Sequence, residues 1–71
     1  MEIISVKSSV MSKVGYNDGL LFVKFLDNGW YKYRVSKQIF ENFLKAPSKG
    51  TFLNSVIKPI DKGTPCVSPA L

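Results

Sequence analysis

The sequence predicts an α+β domain: a small antiparallel sheet of three to four strands with two C-terminal helices packed on one face. Two observations predict it. Segments of alternating apolar and polar residues occupy 2–35, whereas apolar residues recur at helical spacing over 37–58. The 71 residues suffice for one domain. We expect it to span 1–60, and we expect 61–71 to form a Pro-containing tail that is loosely held or lies across another subunit.

Strands are predicted for most of the first half of the chain. β-Branched and aromatic residues are concentrated in segments that Ser, Asn, Asp and Gly separate. In chain order these are the strand EIISVKSSV (2–10), the extended piece and turn VGYNDG (14–19), and the hairpin strands LLFVKFL (20–26) and WYKYRV (30–35).

The connection between the two hairpin strands decides which side chains share a face. A two-residue Asn28-Gly29 turn would place Phe25 opposite Lys32 and so mix core residues with charges. A three-residue loop, Asp27-Asn28-Gly29, with Gly29 in the left-handed position, instead makes one face wholly apolar or aromatic. We therefore predict this loop and its cross-strand pairs, in which both tyrosines point toward the helices: Phe25–Tyr31, Val23–Tyr33 and Leu21–Val35.

Both helices have predicted starts and ends. Ser36 is a suitable N-cap for a helix over 37–46, which Pro47 stops. Ser48 can cap a second helix, TFLNSVIK, which Pro59 ends. Each helix presents one apolar stripe. The first is made of Ile39, Phe40, Phe43 and Leu44, and the second of Phe52, Leu53, Val56 and Ile57, with Ile60 as an optional further member.

The other face of the hairpin, which we call the outer face, interleaves cations with large apolar side chains. Its predicted members are Leu20, Phe22, Lys24, Leu26, Trp30, Lys32 and Arg34. The formal charge of +5 favours an anionic partner. Phe22 and Trp30 can stack on bases while the cations meet phosphates. The predicted ligand is therefore RNA or a nucleotide, bound by Phe22, Lys24, Trp30, Lys32 and Arg34.

The outer face has a second interpretation. Leu20, Phe22, Leu26 and Trp30 together make a larger apolar patch than small monomers usually expose, so they could form a homo-oligomer interface with the cations as its rim. The two uses are compatible, because a ligand pocket can form between copies.

A second candidate anion point is the predicted helix start Ser48-Lys49-Gly50-Thr51. Its free N–H groups, hydroxyls and Lys are features of phosphate sites at helix starts. The simpler interpretation, which we prefer, is a cap with a Gly that allows close packing. The segment lacks the longer Gly-rich loop and the Lys-Ser/Thr ending of a P-loop.

Several function classes are disfavoured by composition. The chain has no His, and its five Asp and Glu are scattered, so we expect no catalytic site, no metal site and no cofactor. Cys66 is a single Cys, which we interpret as a bystander thiol in a reducing, cytoplasmic setting. The longest apolar run, 20–23, is too short for a membrane span.

An ordered set of short motifs resembles the KTSC domain family. These are Ser8-Ser9, Gly15-Tyr16, Leu21-x-Val23-x-Phe25, Gly29 with Tyr31-x-Tyr33 and Val35, Ala46-x-Ser48-x-Gly50, and Phe52-x-Asn54-x-x-Ile57. The resemblance covers about residues 5–58. It implies a short module of the kind found at the C-terminus of some lysyl-tRNA synthetases and as stand-alone bacterial or phage proteins, and this association implies RNA binding. In a stand-alone protein, homo-oligomers could sequester a nucleotide signal in basic pockets between subunits or inhibit a protein partner.

Overall fold

Five strands pair in chain order to form one antiparallel sheet in a computed structural model, which describes residues 2–67. The elements are β1 (Ile3–Ser5), β2 (Met11–Asn17), β3 (Leu20–Phe25), β4 (Trp30–Arg34), α1 (Lys37–Lys45), α2 (Lys49–Phe52), a π-helical turn (Leu53–Ile57) that continues α2, and β5 (Thr64–Cys66). The α+β class is as predicted, but the sheet has one strand more than the largest number expected.

The additional strand, β5, corrects the prediction of a loosely held tail. Residues 64–66 pair with β4, so this part of the predicted tail belongs to the sheet. The Asp61 carboxylate accepts the backbone N–H groups of Arg34 and Gly63, both at 2.8 Å, and so joins the returning chain to the end of β4. Residues 68–71 of the predicted tail lie outside the described residues.

The turn between β2 and β3 contains two residues, since Asn17 pairs with Leu20. Asp18 and Gly19 have φ angles of 54° and 80°, as a type I′ turn requires. This confirms the turn expected in VGYNDG. The preceding residues form a full seven-residue strand rather than the short extended piece predicted.

The hairpin of β3 and β4 differs from its predicted register by two residues. The observed pairs are Leu20–Arg34, Leu21–Tyr33, Phe22–Lys32, Val23–Tyr31 and Lys24–Trp30. A shift of two residues leaves every side chain on its predicted face, because the side-chain period of a strand is two. Tyr33 is 2% exposed, and Tyr31 packs against the core, as expected.

Two contacts explain why the connection is wider than the predicted three-residue loop. The Leu26 N–H donates to the Val10 carbonyl at 2.9 Å, which draws residue 26 toward β2 rather than β4. The Lys24 ammonium donates to the carbonyls of Phe25 (2.7 Å) and Asn28 (2.8 Å), inside the loop. The prediction of a left-handed Gly29 is wrong, since Gly29 is not among the residues with positive φ.

The helices begin where their predicted caps lie. The Ser36 hydroxyl accepts the Ile39 N–H at 3.3 Å, and the Ser48 hydroxyl accepts the Thr51 N–H at 3.3 Å. α1 ends at Lys45, just before Pro47. The second helical segment departs from α geometry over Leu53–Ile57, where it is π-helical.

The core lies between the helices and one face of the sheet. Helix residues Phe43, Leu53 and Ile57 are buried in the same cluster as Leu21 and Val23 of β3. The complete buried set is Met11, Val14, Leu21, Val23, Tyr33, Val35, Phe43, Leu53 and Ile57. The helices therefore cover the apolar face of the hairpin, as predicted, and the outer face lies on the opposite side of the sheet.

Candidate ligand-binding surfaces

The observed register orders the outer face into three cross-strand pairs. Lys24 lies opposite Trp30, Phe22 opposite Lys32, and Leu20 opposite Arg34. Each pair sets a cation beside a large apolar side chain. The predicted register would instead have placed Lys24 opposite Lys32, and like charges in that position destabilise a sheet.

Neighbouring strands extend the outer face on both sides. On β2, Lys13 pairs with Lys24, and on β5, Thr64 and Cys66 pair with Lys32 and Trp30. Burial raises the pKa of the Cys66 thiol, an effect that the nearby Lys32 charge partly opposes. A thiol with a raised pKa is a weaker nucleophile at neutral pH, because less thiolate is present.

Two aromatic side chains on the outer face are partly accessible to ligands. Phe22 and Trp30 are partly exposed, and neither belongs to the core cluster or to the partly buried residues packed against it. Leu26 is 52% exposed but lies beyond the end of β3, in the hairpin connection. The outer face of the strands therefore contains Leu20, Phe22 and Trp30 without Leu26.

The predicted cations differ in what their charges contact. The Lys24 ammonium is held by the two loop carbonyls described above. Lys32 is partly exposed and Arg34 is exposed. Lys32 and Arg34, together with exposed Lys13, are thus better placed for a ligand than Lys24.

The second predicted anion point has a structural role. The Lys49 ammonium donates to the carbonyls of Leu44 (3.1 Å) and Ala46 (3.2 Å), which satisfies the C-terminal end of α1. A Cβ atom on Gly50 would lie 3.1 Å from Val10 Cγ2, so glycine allows the close approach of the 8–10 segment. The Ser48 and Thr51 hydroxyls bond to each other at 3.0 Å. These contacts agree with the preferred interpretation of a cap with close packing.

A cleft on the helix side of the sheet was not expected. It has a volume of about 500 Å³ and lies between the 8–10 segment, the hairpin connection and the second helix. Its lining includes Ser9, Asn28, Thr51, Asn54 and Lys58. Thr51, Asn54 and Lys58 come from one segment, which also contributes Ser48 and Gly50 of the second predicted anion point. Ser9 and Asn28 come from distant parts of the chain, so no local pattern in the sequence groups them with that segment.

A smaller cavity of about 240 Å³ adjoins this cleft and shares Phe25, Asn28 and Lys58 with it. Tyr31, Tyr33 and Lys62 complete its lining. Burial, assisted by the nearby Tyr31 and Asp61, raises the pKa of Tyr33 to about 12. The Tyr33 phenol therefore stays neutral at physiological pH.

The described part of the chain shows neither a metal cluster nor a membrane-spanning helix. Residues 2–67 contain no group of three or more His, Cys, Asp or Glu that could hold a metal ion. Over the same residues, no helix has the length and apolar character needed to cross a membrane.

Comparison with known proteins places the chain in a family. Residues 7–60, more than half of the chain, match the family model of the KTSC domain. The chain belongs to the KTSC family. A protein of Tsukamurella paurometabola is 33% identical over 57 residues, which cover 76% of this KTSC chain and 85% of the relative. The crystal structure of a KTSC domain protein from Yersinia pestis superposes with a TM-score of 0.78 at 35% identity and covers 89% of this chain and 90% of that one.

These findings confirm the family resemblance that the ordered motifs indicated. The Tyr-x-Tyr motif of this KTSC domain, Tyr31 and Tyr33, lies on the core side of β4, and Tyr33 is almost fully buried. Tyr16 of the Gly15-Tyr16 motif stacks on Phe40 with ring centroids 4.9 Å apart and donates from its hydroxyl to the Val35 carbonyl at 2.8 Å. Tyr16 therefore joins β2 to α1, whereas Tyr31 and Tyr33 contribute to the core side of the sheet.

Proposed function

We propose that this KTSC domain is a non-enzymatic module that binds single-stranded RNA on its outer face. The observation that carries the proposal is the repeated pairing of a cation with a large apolar side chain across β3 and β4: Lys24–Trp30, Phe22–Lys32 and Leu20–Arg34. Stacking of bases on aromatic side chains, combined with phosphate contacts from cations, is how open sheet surfaces bind single strands.

The spacing of the two aromatics suits successive bases. Phe22 and Trp30 are diagonal neighbours on adjacent strands, for which sheet geometry gives a Cα separation of roughly 7–8 Å. Lys13, Lys32 and Arg34 surround them with positive charge. The net charge of +5 adds long-range attraction for a polyanion.

The chemistry of the titratable side chains supports binding rather than catalysis. The Asp61 carboxylate is engaged with two backbone N–H groups, which lower its pKa. The Tyr33 phenol has a pKa of about 12, and the pKa of the Cys66 thiol is raised by burial. None of these groups is tuned toward proton transfer or nucleophilic attack near pH 7.

Fluorescence anisotropy with a labelled single-stranded RNA tests the proposal. We expect saturable binding at low salt that weakens as salt rises, because phosphate contacts release counterions. Arg34→Ala should weaken binding of all sequences similarly and reduce the salt slope by about 1. RNA stacking on Trp30 should also quench its fluorescence.

Lys37→Ala is the matched control for Arg34→Ala. Lys37 is exposed at the start of α1, on the helix side of the sheet, so this change removes one positive charge away from the outer face. We expect only a small loss of affinity from this variant. Failure to bind RNA at low salt, or an equal effect of the two variants, would rule the proposal out.

A second candidate function is favoured by the apolar part of the same surface. Leu20, Phe22 and Trp30 lie together on a face that no helix of residues 2–67 covers. We infer that two copies can pair through these faces, with Lys32 and Arg34 lining basic pockets between them. Such an oligomer would sequester a nucleotide signal or block a protein partner.

A further inference from the structure

The cleft on the helix side combines polar and aromatic side chains from four segments of the chain. Ser9 comes from the segment before β2, Asn28 from the hairpin connection, Thr51 from α2 and Asn54 from the π-helical turn. Its volume of about 500 Å³ lies within the range of small-molecule sites. Several convergent polar groups in such a cleft are typical of ligand recognition.

The π-helical turn shapes one wall of this cleft. Leu53 and Asn54 at its start line the cleft, as does Lys58, which follows its end. The Lys58 N–H bonds to the Leu53 carbonyl at 2.9 Å, five residues back, so the turn brings these positions to the same wall. Short π-helical segments within helices are rare and occur frequently at functional sites.

The charges of the cleft and its adjoining cavity are not evenly distributed. Lys58 lines both spaces and Lys62 lines the adjoining cavity, whereas Asp27 lines only the main cleft. The cationic end therefore lies beside Tyr31 and Tyr33, whereas Ser9, Thr51 and Asn54 line only the main cleft and Asn28 lines both spaces. Phe25, at the junction, is partly exposed and contacts Tyr31 edge-on with ring centroids 5.4 Å apart.

We propose that this cleft is a binding site for a phosphate ester of mononucleotide size. Lys58 and Lys62 bind the phosphate, because an ammonium group bonds strongly to a doubly charged phosphate. Phe25 contacts the base, and Asn28 and Asn54 hydrogen-bond to its polar edge, since an amide side chain offers both donors and an acceptor. The site lies on the opposite side of the sheet from the outer face and is independent of RNA binding there.

Titration of the full chain with adenosine monophosphate, followed by ¹⁵N–¹H NMR, tests this site. We expect saturable shifts that are concentrated at the amides of Asn28, Thr51, Asn54 and Lys58. Adenosine without phosphate and inorganic phosphate without a base should each bind about tenfold more weakly or worse, since each lacks one set of charged or polar contacts. Equal affinity for inorganic phosphate, or shifts confined to the outer face, would overturn the proposal.

Variants that remove the lysine charges provide a second test of the mononucleotide site. The double variant Lys58→Gln, Lys62→Gln should weaken adenosine monophosphate binding about tenfold or more, because two charged contacts to phosphate are lost. The matched control Lys37→Gln, Lys45→Gln removes the same charge from exposed positions on α1 and should change the affinity little. Equal losses in the two double variants would show a nonspecific charge effect and refute the site.

Two single variants separate this site from the outer face and from folding defects. Asn54→Ala keeps the net charge and should still weaken mononucleotide binding, with NMR dispersion reporting that the fold is intact. Arg34→Ala should leave mononucleotide binding unchanged. A loss of mononucleotide binding in Arg34→Ala would assign the nucleotide to the outer face instead. A failure of RNA binding, with mononucleotide binding retained, would refute the RNA proposal and support the separate site in the cleft.

Discussion

Gly63 shows how one residue can be required by a side chain that lies far away in the sequence. It has a φ of 89°, and a Cβ atom there would lie 2.7 Å from Cζ of Tyr33. Tyr33 is buried in the core, so its ring cannot move aside without disturbing its neighbours. Gly19 has a similar φ of 80° but no atom within 4 Å of the corresponding position.

Alanine substitutions at these two glycines separate backbone strain from steric overlap. We expect Gly19→Ala to lower the free energy of unfolding by about 1 kcal/mol through strain alone. Gly63→Ala should lower it by about 2 kcal/mol or more, because overlap with the Tyr33 ring adds to the strain. Urea unfolding followed by Trp30 fluorescence measures both, and equal losses would show that the ring relaxes freely.

At the scale of elements, β5 depends on the Asp61 carboxylate. Its two oxygens accept N–H groups from Arg34 and Gly63, one at the end of β4 and one in the turn before β5. The Gly63 bond, then the Arg34 N–H bond, lower the Asp61 pKa, and the positive charge of Arg34 acts in the same direction. The ionised carboxylate therefore stabilises the attachment of β5 to the sheet.

The stability that Asp61 contributes should depend on pH in a defined direction. Its folded-state pKa lies below the unfolded value of about 4, so the contribution is fully present above about pH 4 and is lost as pH falls through the folded pKa. Urea unfolding of the wild type and Asp61→Asn from pH 7 to pH 2 measures it. The difference in unfolding free energy should shrink at the acidic end, and a difference that is constant across this range would contradict the assignment.

At the scale of the whole molecule, the two faces of the sheet have different surroundings. One face and the helices share the core, whereas the outer face carries Phe22 and Trp30 among cations. A domain of this size buries a smaller fraction of its surface than larger domains do. Pairing of two outer faces would bury additional apolar area, which is the physical basis of the second candidate function.

The second candidate function, pairing of two copies through their outer faces, predicts that a substitution at Trp30 changes the molecular mass in solution. If outer faces pair, light scattering coupled to size exclusion should give the mass of an oligomer for the wild type and of a monomer for Trp30→Asp, because a buried unpaired carboxylate opposes association. Ile60→Asp is the matched control, since Ile60 is 56% exposed and lies in the turn after the π-helical segment. A wild type that stays monomeric at high concentration would exclude this candidate.

Much of the fold could be predicted because it depends on local patterns. The caps Ser36 and Ser48 start both helices as expected, since each hydroxyl accepts an N–H only three residues away. The membership in the KTSC family was likewise predicted from short motifs in a fixed order. The candidate site was predicted less completely, because Lys24 and Lys49 resemble free surface cations in the sequence, yet their ammonium groups are held by carbonyls.

The sequence by itself determined which side chains share a face, because alternation with a period of two survives any even shift of register. Tyr31 and Tyr33 therefore face the core, and Trp30, Lys32 and Arg34 face away from it. Only the tertiary structure decided the pairing within the hairpin, the fifth strand and the cleft. Each of these depends on contacts between distant residues, such as Leu26 with Val10 and Asp61 with Arg34, which no local pattern encodes.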